Sequence, residues 1–521
     1  MCRNAIFLLC LAAIRPLAAE VLGAQAGLPQ ASPSPALPLP PPAYRAGFES
    51  ISERDLRAWL GFLASAELEG RESGTRGYDV AARYIASVLE GLGVVPMGGD
   101  GTYFQEFHLV RLERDLENAR LELRGGSGEP ESFPLRDHVA VRAGGDIDWS
   151  GPWVFAGHGD GGPDAHDDFH GLSLEGKVVL VIPRPGSRRE EEGARRAGAR
   201  RVVIVSDERV KSRAGLSSGQ RAMEPGAKLP VEDLGMDVVY LSRAATDRVL
   251  SRAGTSVERL LAGPARPLPD LLDGVAVRLE LKVRETRRAT RNVVGLVEGS
   301  DPALRGEVVA VGAHLDHVGI QDQKLFPGAD DDASGTSAVL GVASALALNP
   351  VRPRRSVLLL FFAAEEIGLL GSSYFVDHPP VGLDRFVAEF QLDMVGRNEE
   401  RTSDDPARAE RAEDNVNTIH VVGSTRHALE LDPWLSSVNE HVGLVFERDE
   451  ERVYTRSDHY HFARHGIPVT FFFAGFHPDY HKPTDTIEKI NFTKLLNVTR
   501  LVYSIAYEVA DRERRLPVNK F

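Results

Sequence analysis

Five short segments of the chain concentrate histidines and carboxylates: AHLDH (313–317), GADDDASG (328–335), AAEEIGLLGS (363–372), LDMVGR (392–397) and FHPDYHKPTDT (476–486). His314 and His481, together with Asp331, Glu366 and Asp393, make a donor set without sulfur. Such a set suits Zn²⁺, or a harder ion such as Mn²⁺ or Co²⁺. A carboxylate among them can bridge two ions about 3.5–4 Å apart, the spacing of two-metal hydrolase sites. Asp316 lies two residues beyond His314, on the same face, where it can accept the ring's other N–H and fix the tautomer. Glu365 and Glu366 are adjacent acids after an apolar run and repel one another unless cations offset them. In Asp330-Asp331-Asp332 an acid can serve instead as the cap of the helix that follows.

The elements around these segments place them together. VVAVGA (308–313) precedes a helix expected from about Ser334 to Leu348, and VLLLFFAA (357–364) precedes another around 367–376. FVAEFQL (386–392) and VTFFFAG (469–475) complete a set of near-continuous apolar strands, the pattern of strands buried on both faces. The fold class is therefore α/β, a doubly wound, mostly parallel sheet. In such a sheet the carboxyl ends of the strands form the ligand crevice, and all five segments follow a strand or lead into a helix there. Further upstream, Ser52 opens a helix with Leu56, Trp59, Leu60 and Leu63 at helical spacing, and Ala81–Leu92 repeats that period. From about 127 to 270 the texture changes to short apolar runs, such as KVVLVIP (177–183) and RVVIVS (201–206), separated by Gly/Pro/Asp loops. This reads as a small β-rich unit inserted into the larger domain. The expected organisation is a signal peptide at 1–26, a Pro-rich linker at 27–44, a first domain part at 45–126, the insert at 127–270 and the catalytic part at 271–521.

Among 521 residues, Lys plus Arg number 61 and Asp plus Glu 75, a net charge of −14. That balance excludes a nucleic-acid or anionic-membrane partner held by bulk charge. The two cysteines, Cys2 and Cys10, sit in a segment with a basic start and an apolar run ending at Ile14, the pattern of a secretory signal. The run is shorter than the ~20 residues a bilayer needs, so an exported protein without stable membrane insertion is expected. Cleavage after Ala26 would leave no thiol, and with it neither cysteine catalysis nor a cysteine metal site.

The five segments, in this order, resemble the M28 family of co-catalytic zinc peptidases, over about 45–125 and 285–510. By that resemblance two divalent ions, most simply Zn²⁺, are implied. His314 and Asp393 match the ligands of one, Glu366 and His481 those of the other, and Asp331 the bridging carboxylate. Glu365 matches the general base, and Tyr480 a residue that helps hold the tetrahedral intermediate. Ser457-Asp458-His459 resembles the family's SDH segment and reads as supporting structure. DDFHGLSLEGKVVLV (167–181) resembles the protease-associated (PA) inserts of this family. The crowd of His158, Asp160, Asp164, His166, Asp167, Asp168 and His170 is accordingly expected to be a solvated loop rather than a second metal site. The resemblance implies hydrolysis of N-terminal residues from peptides or proteins. A glutaminyl-cyclase-like or carboxypeptidase-type relative, or a non-catalytic binding ectodomain, is the alternative on the same scaffold.

Overall fold

The computed structural model describes residues 37–519, apart from residue 127 and residues 161–166, 185–188, 213–219, 228–234, 264–266 and 404–408. The expected signal segment lies outside the described residues, as does most of the expected linker. The linker stops short of residue 44, because a helix runs Pro42–Ser50 with Pro42 in its first turn. A proline is at home there, since its missing N–H has no intrahelical partner to lose. No helix of the described residues is long and apolar enough to cross a membrane.

The larger sheet contains β1 (Phe104–Arg114), β2 (Val283–Val297), β3 (Val308–His314), β4 (Ser356–Phe362), β5 (Phe386–Leu392), β6 (Thr418–Val422) and β7 (Val469–Phe473). Their order is β1-β2-β4-β3-β5-β7-β6, with Arg221–Met223 beyond β1 and Val445–Glu447 beyond β6. The four central strands, β4, β3, β5 and β7, are parallel, and the flanking β1, β2 and β6 pair antiparallel. Every residue of β3, β4, β5 and β7 is buried, as their unbroken apolar sequences require. One face packs Val309, Val311, Leu359 and Phe361 against α1 (Ala333–Leu348), α3 (Phe492–Asp511) and the two N-terminal helices. On the other face Ala310, Leu358, Leu360 and Phe362 meet α2 (Leu370–Asp377) and the short helix His459–Arg464. Ser52 caps the helix Glu53–Leu63 by accepting the N–H of Asp55, and Leu56, Leu60 and Leu63 form its buried stripe.

Between β1 and β2 the chain builds two further sheets. One has the order Val139–Arg142, Asp237–Leu241, Arg201–Val205, Val178–Val181, Trp153–Phe155, and its last four strands are parallel. The other is antiparallel: Glu131–Pro134, Arg120–Gly125, Val275–Leu281, Ile147–Gly151. The insert is therefore wider than the expected 127–270. Leu121 and Leu123 on one side, and Val277, Leu279 and Leu281 on the other, belong to its hydrophobic core. Val275–Leu281 is followed after one residue by β2, with no turn signal between them, so composition alone does not mark the junction.

Candidate active site

The carboxyl ends of the central strands converge. His314 is the last residue of β3, and Asp332 is the N-cap of α1, its side chain accepting the N–H of Gly335. Three non-glycine residues in left-handed conformation turn the other loops inward: Ala364 (φ 59°) before Glu365, Met394 (φ 53°) after Asp393, and His481 itself (φ 50°). Side chains disfavour that region, and residues held there cluster at functional sites.

The structure brings all five expected ligands together. His314 Nε2 stands 3.2 Å from Asp331 Oδ1 and 3.5 Å from Asp393 Oδ1. His481 Nε2 stands 3.0 Å from both Asp331 Oδ2 and Glu366 Oε2. Asp331 thus offers one oxygen to each of two groups. Its neighbours are differently engaged. Asp332 Oδ1 accepts the N–H groups of Gly335 and Met394, and its Oδ2 accepts that of His314. Asp330 Oδ1 accepts the N–H of Gly396, and its Oδ2 lies 3.2 Å from His477 Nε2. Asp332 also lies close to His314 and Asp393, but three amide donors occupy its oxygens. Asp331 receives no backbone N–H, so its lone pairs are left for cations.

The donor set fits divalent ions. Nitrogen and oxygen lone pairs face one another at 3.0–3.5 Å across both groups, and Asp331 is buried between them. The electrostatics agree. Burial works to lower the His314 imidazole, yet the surrounding Glu365, Asp393 and Asp331 hold it well above its ordinary value. His481, for which burial acts in the same direction, is pushed up to about 10 by its contacts with Asp331 and Glu366. Asp331 is held well below the carboxylate range, despite burial, by the two imidazoles. Such a cluster concentrates positive charge on its histidines, and a bound metal takes the place of those protons.

Glu365 stands outside both ligand groups but lines the same cavity. Burial, with the charges of Asp393 and Glu366, raises its carboxyl well above the usual range, against the opposing pull of His314. The cavity, about 350 Å³, is lined by the five expected ligands and by Met394, Val453, Phe471, Phe473 and Phe476. Tyr480 lines it too, stacked on His481 with ring centroids 4.0 Å apart, and its hydroxyl lies 3.3 Å from Arg456 Nη2.

Two details differ from the sequence-based expectation. His314 Nδ1 lies 3.1 Å from the backbone carbonyl of Asp316, not from its carboxylate, whose nearer oxygen is 3.8 Å away. The Asp316 carboxylate instead accepts the N–H of Glu365, at 3.2 Å, because β3 and β4 are neighbours and end level. The second difference is His317, which sequence reasoning passed over. It is buried, with Nδ1 2.7 Å from Glu366 Oε1 and 3.8 Å from Asp331 Oδ2. The sole signal was its place in AHLDH, three residues after His314.

Ser457, Asp458 and His459 are buried beside the site, and His459 stacks on Phe471. Burial lowers the His459 imidazole to about 3, which keeps it neutral. In the insert, Asp164 and His166 lie outside the described residues. Asp168 Oδ2 accepts the N–H groups of His158 and Asp160, and His158 Nδ1 faces the carbonyl of Ile182. His158 and Asp168 are thus buried in a knot of backbone hydrogen bonds rather than solvated, and no metal-like group forms there among the described residues.

Residues 292–506 match peptidase family M28. Aminopeptidase YwaD of Bacillus subtilis is 32% identical over 237 residues, which are 44% of this chain and 47% of that protein. The chain spans about half the length, or less, of the curated relatives it matches. Among solved structures, an aminopeptidase from Aneurinibacillus sp. strain AM-1 is 19% identical, covering 92% of this chain and 98% of its own, with a TM-score of 0.48. BSAP, a zinc aminopeptidase from Bacillus subtilis, is 23% identical, covering 89% and 96%, with a TM-score of 0.43.

Proposed function

From the match of residues 292–506 to peptidase family M28 we propose that the protein is an exported two-metal aminopeptidase. One ion would be held by His314, Asp331 and Asp393, the other by Asp331, Glu366 and His481. When bound, such ions supply Lewis-acid polarisation of a carbonyl and lower the pKa of water. The carrying observation is Asp331, whose two oxygens face two separate histidine–carboxylate groups while backbone amides occupy its neighbours.

The chain's own residues do the rest. Glu365, close to the ligands but not among them, accepts the proton of the attacking water and returns it to the leaving amine. Its backbone is fixed by Asp316, so the carboxyl is aimed before substrate arrives. Tyr480, at the cavity wall beside His481, donates its O–H to the developing oxyanion. The carboxylates lining the cavity suit a protonated α-amine, and Met394, Val453, Phe471, Phe473 and Phe476 suit an apolar N-terminal side chain. Holding the free α-amine there is what would confine cleavage to the N-terminal residue.

The insert, read as a PA domain, would restrict which polypeptides reach the cleft. It touches the peptidase part through Arg221–Met223 on the edge of β1 and through Glu224, 3.3 Å from His378 after α2. Release of a chromophore from leucine anilide, with and without a zinc chelator, tests the proposal. Chelator-sensitive release from the free but not the N-blocked substrate is expected. Activity that survives chelation, or needs a blocked N-terminus, would refute it.

A further inference from the structure

The largest side chain buried beneath the site is not an acid or a histidine but Arg71, 1% exposed. It stands in an N-terminal segment outside residues 292–506, between helix Glu53–Leu63 and helix Arg76–Gly91. Its guanidinium donates only to backbone carbonyls: Nε to Leu315 (3.0 Å), Nη1 to Pro327 (2.7 Å) and to Leu63, and Nη2 to Gly328 (2.9 Å). Its own carbonyl accepts the N–H of His317. Two residues on, Ser73 Oγ accepts the N–H of Ala364, the left-handed residue before Glu365.

These contacts have a common destination. Leu315 and His317 flank the His314 loop, Pro327 and Gly328 lead into Asp331, and Ala364 leads into Glu365 and Glu366. Segment 71–73 therefore grips three of the five segments that carry the expected ligands. A carboxylate partner would have cancelled the guanidinium charge. Carbonyl partners satisfy its N–H groups and leave that charge acting on Asp331, Asp332 and Asp316. Lysine cannot copy the arrangement, because its donors radiate from one nitrogen while these carbonyls require a planar fork.

We propose that Arg71, with Ser73, is the positioning device of the metal centre, holding the ligand loops at their spacing before any ion enters. This inference rests on the two-metal reading above. It is tested by zinc affinity, measured by chelator competition on the full chain, together with the unfolding temperature of metal-free and zinc-loaded protein. Arg71→Lys should weaken zinc binding by about tenfold or more, in the range of other outer ligand supports, and shrink the zinc-induced rise in unfolding temperature. Val203→Ala, in the insert core, should lower the metal-free unfolding temperature without touching zinc affinity, which separates positioning from general destabilisation. Should Arg71→Lys not fold, Ser73→Ala decides: weaker zinc binding supports the proposal and parental binding overturns it. Arg71→Lys that binds zinc as the parent does, however unstable, also overturns it. A parent chain that binds no zinc would instead refute the two-metal reading itself.

Discussion

The molecule contains two stacks of buried parallel strands, and among the described residues metal-ligating side chains gather at the carboxyl ends of only one of them. In the insert, the carboxyl ends of Arg201–Val205 and Asp237–Leu241 run into Ser206 and Ser242, each of which caps a helix. The buried acid there, Asp168, has an oxygen that takes two backbone N–H groups. In the larger sheet the corresponding ends carry Asp331, buried to a similar degree but reached by imidazole nitrogens and no amide. The difference is one of lone-pair use. A buried carboxylate bound by the backbone is structural, and one left facing histidines is a cation ligand in waiting.

The sharpest way to break this contrast is at Glu365, which the account separates from both classes as the group that moves a proton. Glu365→Gln should lower kcat/KM by about 10²–10⁴-fold while zinc content stays parental. Loss of metal together with activity would make Glu365 a ligand instead. Next in size, Tyr480→Phe should lower kcat by about 10²-fold, the usual cost of one oxyanion donor, with KM little changed. A rise in KM alone would reduce Tyr480 to a wall.

The structural side of the contrast is tested by Asp168→Asn, expected to destabilise the fold by about 1–3 kcal/mol in chemical denaturation with zinc content unchanged. A mutant of parental stability would deny that this acid holds the insert's loop. Glu389, on β5, is a third kind of acid. It is buried with neither oxygen bonded, and burial followed by the charge of Asp458 raises its pKa well above 4.5. The folded state therefore holds its proton more tightly than the unfolded chain. That contribution is complete at low pH and is lost as pH rises above the ordinary glutamate range. Glu389→Gln should gain unfolding temperature over the parent by a few degrees at pH 8 and by little at pH 5. An equal difference at both values would contradict the assignment.

What was legible in the sequence follows the same division. The central strands are readable because both their faces are buried, leaving apolar runs, two of which end directly on His314 and Asp393. The five segments stood out because acids after such runs have few structural uses. Roles that depend on tertiary contact were not legible. The sequence pairs Asp316 with the His314 ring, but strand adjacency turns its carboxylate to the N–H of Glu365. No local pattern reports the approach of His317 to Glu366. Arg71 sits in GRESGT, an ordinary polar turn until folding carries it under residues some 250 positions away. The insert's edge leaves no such mark, since Val275–Leu281 leads into β2 with no breaker between them.

Whether Asp331 joins two cation sites into one centre is decided by calorimetric titration of the metal-free chain with Zn²⁺, parent against Asp331→Asn. Two ions per chain are predicted for the parent, with fewer and weaker in the variant. A parent that binds a single ion, or a variant that takes up two with parental affinity, would contradict the account.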